Sequence, residues 1–511
     1  MAGCFAAALG LAYLLLPRMG TDLAAQVARA GFFAEHGWTP IDLRWYAGVD
    51  QLGYSLVSQP VMAVAGVRLT GVLALAGAAV AFAALLRRTG AARPVLGAAF
   101  GVTGIAGNLL SGRVTYGLGV AFAVTALLAL TCPRLRWAAA VLALLASATS
   151  PVAGLFLGLA GVALLLSRRI GAGLLVATPA AVALAVSAGL FGDGGWMNIS
   201  HTDALRAIVT SLVVAALVPR RPVRIAGVLS AAGVLAAALA HTPVGLNATR
   251  LAVMFALPVL AGYADLPRPV VRLRRWRPVA LGVVLLAIAW WQPPVVIGDV
   301  RDLGNPSADP AYFAPLRQRL ALERLTGRVE IPPTRDYWEA ASMGDVPLAR
   351  GWLRQADIDR DPLFFTTVPG AAGTGVALTA GSYRSWLAER AVQFVAVPDA
   401  ELSWAGRAEA SLVAAGMPGL TPIWSDRHWQ LYQVADPDPV VAPPATMVGQ
   451  DAATITFDAP TAGDIVLRVR YYRWLRATGG ARVTASGTWT LVRVTGPGRY
   501  TLSSRLGPAQ R

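Results

Sequence analysis

PRMGTDLAAQVARAGFFAEHGWTPIDLRWYAGVDQLGYSLVSQP, residues 17–60, is the stretch on which the reading of the whole chain turns. It is a polar loop set between an apolar run at 2–17 and another at 69–86. Such runs recur as far as residue 292, and their length suits helices crossing a bilayer core of roughly 30 Å. The expected spans are 2–17, 69–86, 94–110, 114–131, 137–150, 152–167, 171–190, 204–219, 225–240, 246–264 and 279–292, about eleven transmembrane helices. The first is read as an uncleaved helix and not a lipoprotein signal, because Ala2-Gly3-Cys4 has no signal region before it. Only 14% of the 511 residues are charged, against about 25% in soluble proteins. The deficit falls before Trp291, after which the composition is that of a soluble domain. The expected division is a membrane domain at 1–292 with its first outer loop at 18–60, then 293–440 and 441–511.

The net charge of +16 does not mark a nucleic-acid binder, because the arginine surplus sits in short loops between apolar segments. Arg87, Arg88 and Arg93 form one group, Arg134 and Arg136 a second, Arg168 and Arg169 a third. Arg220, Arg221 and Arg224 form a fourth, and Arg268, Arg272, Arg274, Arg275 and Arg277 a fifth. Positive loops stay cytoplasmic. Eleven spans then place the N-terminus inside and the C-terminal domain outside. Asp22, Glu35, Asp42, Asp50, Asp193 and Asp203 all fall on the outer side, as do His36, His201 and His241. The chain has no lysine, and its abundant Ala, Gly and Arg point to a bacterial origin, hence a multi-pass protein of the plasma membrane. Cys4 and Cys132 give neither a disulfide framework nor metal-ligand spacing.

Within the first loop, residues 21–34 are expected to be helical, with Thr21 as N-cap. Asp22, Gln26 and Arg29 share one face and Leu23, Val27 and Ala30 another. This predicts an amphipathic helix lying along the outer interface. A carboxylate held there is suited to take a proton from an acceptor hydroxyl during transfer of a lipid-borne sugar. The alternative is that Asp22 only complements the positive end of the helix dipole.

The acid after the first span, the following helix, Arg44-Trp45-Tyr46, Gly53-Tyr54 and Pro60 together resemble the first loop of GT-C glycosyltransferase-like membrane proteins. The resemblance is closest to the 6-pyruvoyl-tetrahydropterin synthase-related integral membrane branch. It implies a lipid-phosphate-sugar-dependent glycosyltransferase scaffold with Asp22 as general base and Asp42 as the second acid. Arg44, Tyr46 and Tyr54 would then contact substrate. Where that family has a histidine soon after the first acid, this chain has Gln26 and Arg29. No metal site and no cofactor are assigned.

Arg113 and Arg250 break the positive-inside trend, and Arg68 and Arg206 stand at the outer interface. Arginine forks suit phosphate, so Arg113 and Arg250 are candidates to hold a polyprenyl-phosphate donor. Snorkelling or lipid-headgroup binding is the alternative. The loop FGDGGWMNISHTD, residues 191–203, offers Trp196 for stacking on a sugar, and Asp193 and His201 for hydrogen bonding. Interfacial anchoring is the other role open to Trp196.

Beyond 303, helices are expected at 310–326 and 400–415, and strands at 328–331, 391–398 and in a pair within 421–434. Residues 441–511 alternate in the manner of a small β-sandwich. No nucleophile elbow, P-loop, HExxH or dinucleotide fingerprint occurs. The fold class is therefore a polytopic α-helical membrane protein with an extracytoplasmic α/β plus β-sandwich C-terminal domain. The expected partners are a polyprenyl-phosphate sugar donor, an envelope glycan or lipid acceptor, and membrane lipids. Two other functions stay open: a non-catalytic envelope assembly factor on the same scaffold, and a secondary transporter. Carriers bury ionisable groups at mid-membrane, and no span here has one at its centre.

Overall fold

The computed structural model describes residues 1–266, 276–371 and 375–507. Arg268, Arg272, Arg274 and Arg275 of the fifth basic loop lie outside the described residues. The chain divides into a helical unit, Met1–Gln26, Gly53–Gly192 and Trp196–Leu303, and a mixed unit, Val27–Leu52, Asp193–Gly195 and Gly304–Arg511.

A helix stands at every expected span. They are α1 (Ala2–Leu15), α4 (Val67–Arg88), α5 (Pro94–Leu110), α6 (Val114–Ala129), α7 (Ala138–Thr149), α8 (Pro151–Leu166), α9 (Ile170–Phe191), α10 (His201–Leu217), α11 (Arg221–Leu239), α12 (Arg250–Tyr263) and α13 (Arg277–Trp291). Between the first two come α2 (Leu23–His36) and α3 (Ser58–Ala65). Val67–Arg88, Ile170–Phe191, Arg221–Leu239 and Gly245–Tyr263 are long and apolar enough to cross a membrane. Among the described residues, six further helices are apolar but span only 10–17 residues. The chain is accordingly a multi-pass membrane protein with an apolar helical N-terminal region and a β-rich C-terminal region. Leu73, Val80, Leu174, Val182, Leu235 and Leu286 remain exposed on these helices, as lipid-facing side chains would.

Small residues set the helix packing, as expected where lipid removes the hydrophobic drive between helices. A Cβ on Gly104 of α5 would lie 2.7 Å from the Met254 carbonyl oxygen of α12. One on Gly161 of α8 would meet Ala177 of α9 at the same distance. The helices touch through backbone because these positions carry no side chain.

Two expectations change in the first loop. The helix begins at Leu23, so Thr21 is not its cap, and Asp22 stands immediately before its first residue. It is also not a surface helix. Leu23, Ala24, Ala25, Gln26, Ala28, Arg29, Ala30 and Phe32 are all buried, and only Gly31, Ala34 and Glu35 are exposed. The polar side chains Gln26 and Arg29 find partners in the protein. Gln26 donates to the Tyr54 hydroxyl at 2.7 Å, and Arg29 donates to Gln51 at 2.8 Å.

In the mixed unit one four-stranded sheet joins Arg328–Glu330 in parallel to Val392–Pro398, which pairs antiparallel with Trp429–Val434 and through it with Leu420–Ser425. A helix covers Trp404–Ala414 as expected, but the helix expected over 310–326 is a 3₁₀ turn at Pro310–Phe313 followed only by Ala314–Leu320. Further on, a four-stranded and a three-stranded antiparallel sheet contain Ile455–Ala459, Gly463–Arg470, Trp489–Val494 and Gly498–Ser504. Alternate residues such as Ile455, Phe457 and Ala459, or Ile465, Leu467 and Val469, turn inward and give each sheet one apolar face.

The core of the α/β part holds charge. Arg350 donates through Nε to Glu330 at 3.1 Å and approaches Glu409 at 3.2 Å and Asp357 at 4.0 Å. All four side chains are at most 1% exposed. Burial, and then Glu409, push the Glu330 carboxyl well above its usual range, and burial carries Asp357 up to about 7. Burial alone would lower Arg350, but Asp357, Glu409 and Glu330 keep it firmly charged.

Candidate functional site

Two short segments of the helical unit press backbone against backbone beside Asp22. Gly20 and Gly112 have φ of +101° and +73°, which favour glycine. A Cβ on Gly20 would fall 2.3 Å from the Leu110 carbonyl oxygen, and one on Gly112 would fall 2.4 Å from the Leu23 nitrogen. The Asp22 amide donates to the Ser111 carbonyl at 3.1 Å. Gly112→Ala should therefore destabilise the helical unit by about 1–3 kcal/mol for the strained backbone alone. That loss is measurable as a lower thermal midpoint of the detergent-solubilised protein.

This contact brings Arg113, the residue before α6, to Asp22. Arg113 Nε donates to Asp22 Oδ2 at 3.2 Å, and Arg250 Nη2, at the start of α12, reaches the same oxygen at 3.4 Å. Among the described residues, Asp22 Oδ1 has only the Thr21 hydroxyl, at 3.5 Å. The side chains of Asp22, Arg113 and Arg250 are 13%, 22% and 19% exposed. The Arg250 guanidinium also lies 5.1 Å from the centre of the Tyr116 ring.

Arg250 is held in place by a small pairing of loops. Met197 donates to the Thr242 carbonyl and Leu246 to the Asn198 carbonyl, at 3.0 and 3.1 Å. Trp196 stacks on His241 with ring centres 3.9 Å apart. A polar chain runs alongside α2: Gln26 joins the Tyr54 hydroxyl to Thr115, and Thr115 meets Ser58 at 2.8 Å.

Of the residues singled out in the sequence, Asp22, Arg113 and Arg250 come together, and Tyr54 joins the Gln26 chain in the same unit. Trp196 spends one ring face on His241, and His201 is exposed at the start of α10. Asp42, Arg44 and Tyr46 belong to the mixed unit. Asp42 is completely buried and accepts from the Arg44 backbone at 2.9 Å, its guanidinium at 2.7 Å and Gln51 at 2.7 Å. Tyr46 donates to the Gly351 carbonyl at 2.5 Å. Asp193 accepts from Arg360 at 3.2 Å, from Tyr472 and from the Asp50 amide. Arg68 closes the end of α1 by donating to the Tyr13 and Leu16 carbonyls, and Arg206 lies 6.0 Å from the Trp291 ring centre.

Asp299 escaped the sequence reading. It sits in Ile297–Arg301, just past the last expected span, and its only local signal is an acid a few residues beyond the last apolar run. It is 1% exposed, accepts from the Ser111 hydroxyl, and receives the Thr21 amide at 3.4 Å. Burial raises its carboxyl above the usual range, against the Ser111 hydrogen bond and the Arg113 charge.

For a cation, Glu35, His36 and Asp345 in the mixed unit bring three ligand atoms within 4.8 Å of one another, with both carboxylates exposed. A groove of about 520 Å³ in the same unit is lined by Asp399, Arg407, Arg427 and His428. There the His428 ring meets Asp399 at 3.0 Å and the Tyr312 hydroxyl donates to Asp399 at 2.7 Å.

Chemically, the Asp22 cluster brings together two kinds of group. Two guanidiniums converge on one carboxylate oxygen and keep further N–H donors for an incoming phosphate. The other carboxylate oxygen, met only by the Thr21 hydroxyl at 3.5 Å among the described residues, has the chemistry to accept a proton.

No family model matches the chain, and no curated protein matches it. Among solved structures, it is similar to a mutant of arabinofuranosyltransferase AftD from Mycobacteria, with 14% identity and a TM-score of 0.46, over 99% of this chain and 59% of that one. It is also similar to apo ArnT from Cupriavidus metallidurans, with 16% identity and a TM-score of 0.37, over 82% of this chain and 93% of that one. The chain thus spans about 59% of the length of the arabinofuranosyltransferase it resembles.

Proposed function

We propose that this protein is a membrane glycosyltransferase of the GT-C type, transferring a sugar from a polyprenyl-phosphate donor to an envelope glycan or lipid. The single observation that carries the reading is the convergence of Arg113 and Arg250 on Oδ2 of Asp22, with Oδ1 meeting only the Thr21 hydroxyl at 3.5 Å among the described residues. The likeness of the first loop to the 6-pyruvoyl-tetrahydropterin synthase-related branch supports the same reading. In this proposal the eleven helices all span the bacterial plasma membrane. The N-terminus is cytoplasmic, and 293–440 and 441–511 form extracytoplasmic domains. Tyr54, Trp196 and His201 line the substrate path, while Asp42, Arg44 and Tyr46 support the first loop.

The acceptor hydroxyl oxygen attacks the anomeric carbon as the bond from that carbon to the phosphate oxygen breaks. The hydroxyl proton passes to Asp22 Oδ1, and the electron pair leaves with the polyprenyl phosphate. Arg113 and Arg250 hold that phosphate and stabilise the charge it gains.

The direct test is mass spectrometry of envelope glycolipids after gene deletion and complementation. A glycan lost on deletion and restored by the wild-type gene supports the reading, and an unchanged profile defeats it. Arg113→Ala and Arg250→Ala should each weaken binding of a polyprenyl phosphate by about tenfold or more. A charge-assisted hydrogen bond of roughly 1.5–3 kcal/mol is removed in each case. Binding to the purified protein in lipid nanodiscs measures this.

A further inference from the structure

The segments carrying Asp22 and Arg113 are joined by more than their own backbone contact. Asp299 accepts the hydroxyl of Ser111, two residues before Arg113, and the amide of Thr21, one residue before Asp22. Its carboxylate therefore bridges the same two segments that Gly20 and Gly112 bring into contact. It does so from almost complete burial, and it feels the charges of both Arg113 and Asp22.

We propose that Asp299 is a positioning residue for the lipid-phosphate site: by bridging Ser111 and Thr21 it fixes the distance and direction between the Arg113 fork and the Asp22 carboxylate. This deepens the reading of the cluster as a phosphate site and rests on it. Two guanidiniums that share one carboxylate oxygen need their carrier segments fixed, because a fork displaced by about 1 Å loses its hydrogen-bond geometry. The Ser111–Thr21 bridge supplies that fixity from the C-terminal side of the last apolar helix. It also gives the short stretch after α13 a part in the site that is remote from it in sequence. Asparagine at 299 has the same shape, with an oxygen for the Thr21 amide and an amide that can donate to the Ser111 hydroxyl. Alanine can do neither.

The test uses the full chain in nanodiscs and measures its affinity for undecaprenyl phosphate. The variants are Asp299→Ala, Asp299→Asn and Ser111→Ala, with Arg113→Ala as control. The expected result is an affinity about tenfold weaker for Asp299→Ala. Ser111→Ala should be roughly threefold weaker or more, and Asp299→Asn should stay within about twofold of wild type. Rescue by asparagine separates the bridging hydrogen bonds from the charge of the carboxylate, and Ser111→Ala, which removes one of those bonds with little change in volume, separates them from a loss of packing. If Asp299→Ala binds like wild type while Arg113→Ala loses affinity, the positioning role is overturned and the phosphate site stands. If Asp299→Asn falls as far as alanine, the bridge is not what matters and the proposal is again overturned. Should Asp299→Ala fail to fold, Ser111→Ala decides: wild-type affinity there overturns the proposal. A control in which Arg113→Ala and Arg250→Ala both bind normally removes the phosphate site itself.

Discussion

Asp22→Asn is expected to lower glycosyl transfer by about 10²–10⁴-fold, the range for losing a positioned general base. Donor binding should change far less, because asparagine keeps an oxygen for the two guanidiniums. The substitution is nearly isosteric, and Asp22 is only partly buried between Arg113 and Arg250, so the fold should survive. Complementing a deletion strain with this variant and quantifying the envelope glycolipids gives the answer, provided immunoblotting shows normal protein levels. Wild-type glycolipid from the Asp22→Asn strain would mean that the carboxylate does not move the proton, and would favour a non-catalytic assembly factor on the same scaffold.

The second large effect is structural. Arg350→Leu should cost the mixed unit about 3–5 kcal/mol, the penalty for removing one member of a buried charged set. Glu330, Glu409 and Asp357 would then share a dry core with their principal countercharge removed. The effect depends on pH with a defined sign. Burial raises these carboxyls above their unfolded value near 4, to about 7 for Asp357. Groups raised in this way give stability that is present below the unfolded value and lost as pH rises through the folded one. The Arg350→Leu penalty should consequently shrink toward pH 5 and peak above pH 7. Hydrogen exchange followed by mass spectrometry reads it locally, in peptides covering Arg328–Glu330, Arg354–Arg360 and Trp404–Ala414. Protection there should fall at least about a hundredfold at pH 7.5. Equal loss at pH 5 and 7.5 would refute the account.

Much of this architecture could be read from one dimension of information, and the parts that could not share a cause. Helix positions were legible because an apolar run is its own signal, independent of what it packs against. Arg113 and Arg250 stood out as cations at the wrong end of their spans, and they are the two that reach Asp22. Burial of α2 was not legible: its face of Asp22, Gln26 and Arg29 has the pattern of a solvated helix, and distant partners, Tyr54, Thr115, Gln51, Arg113 and Arg250 among them, satisfy it. Asp42 likewise reads as a second acid beside Asp22, whereas Arg44 and Gln51 take up its oxygens. Asp299 left almost no trace, because its partners lie 188 and 278 positions away.

The way the mixed unit is assembled bears on its biosynthesis. Its early piece, Val27–Leu52, is bonded to residues made hundreds of codons later: Leu43 to Ala452, Arg44 to Leu348, and Ile41 to Ser504. Trp45 fills the space beside Gly351, where a Cβ would come within 2.5 Å of its ring. Translation at roughly 5–20 residues per second leaves that piece waiting tens of seconds for its partners. During that time its tryptophan and tyrosine have no native cover. A fragment begun at Gly304 would lack these fillers and would emerge with an open core, prone to aggregate.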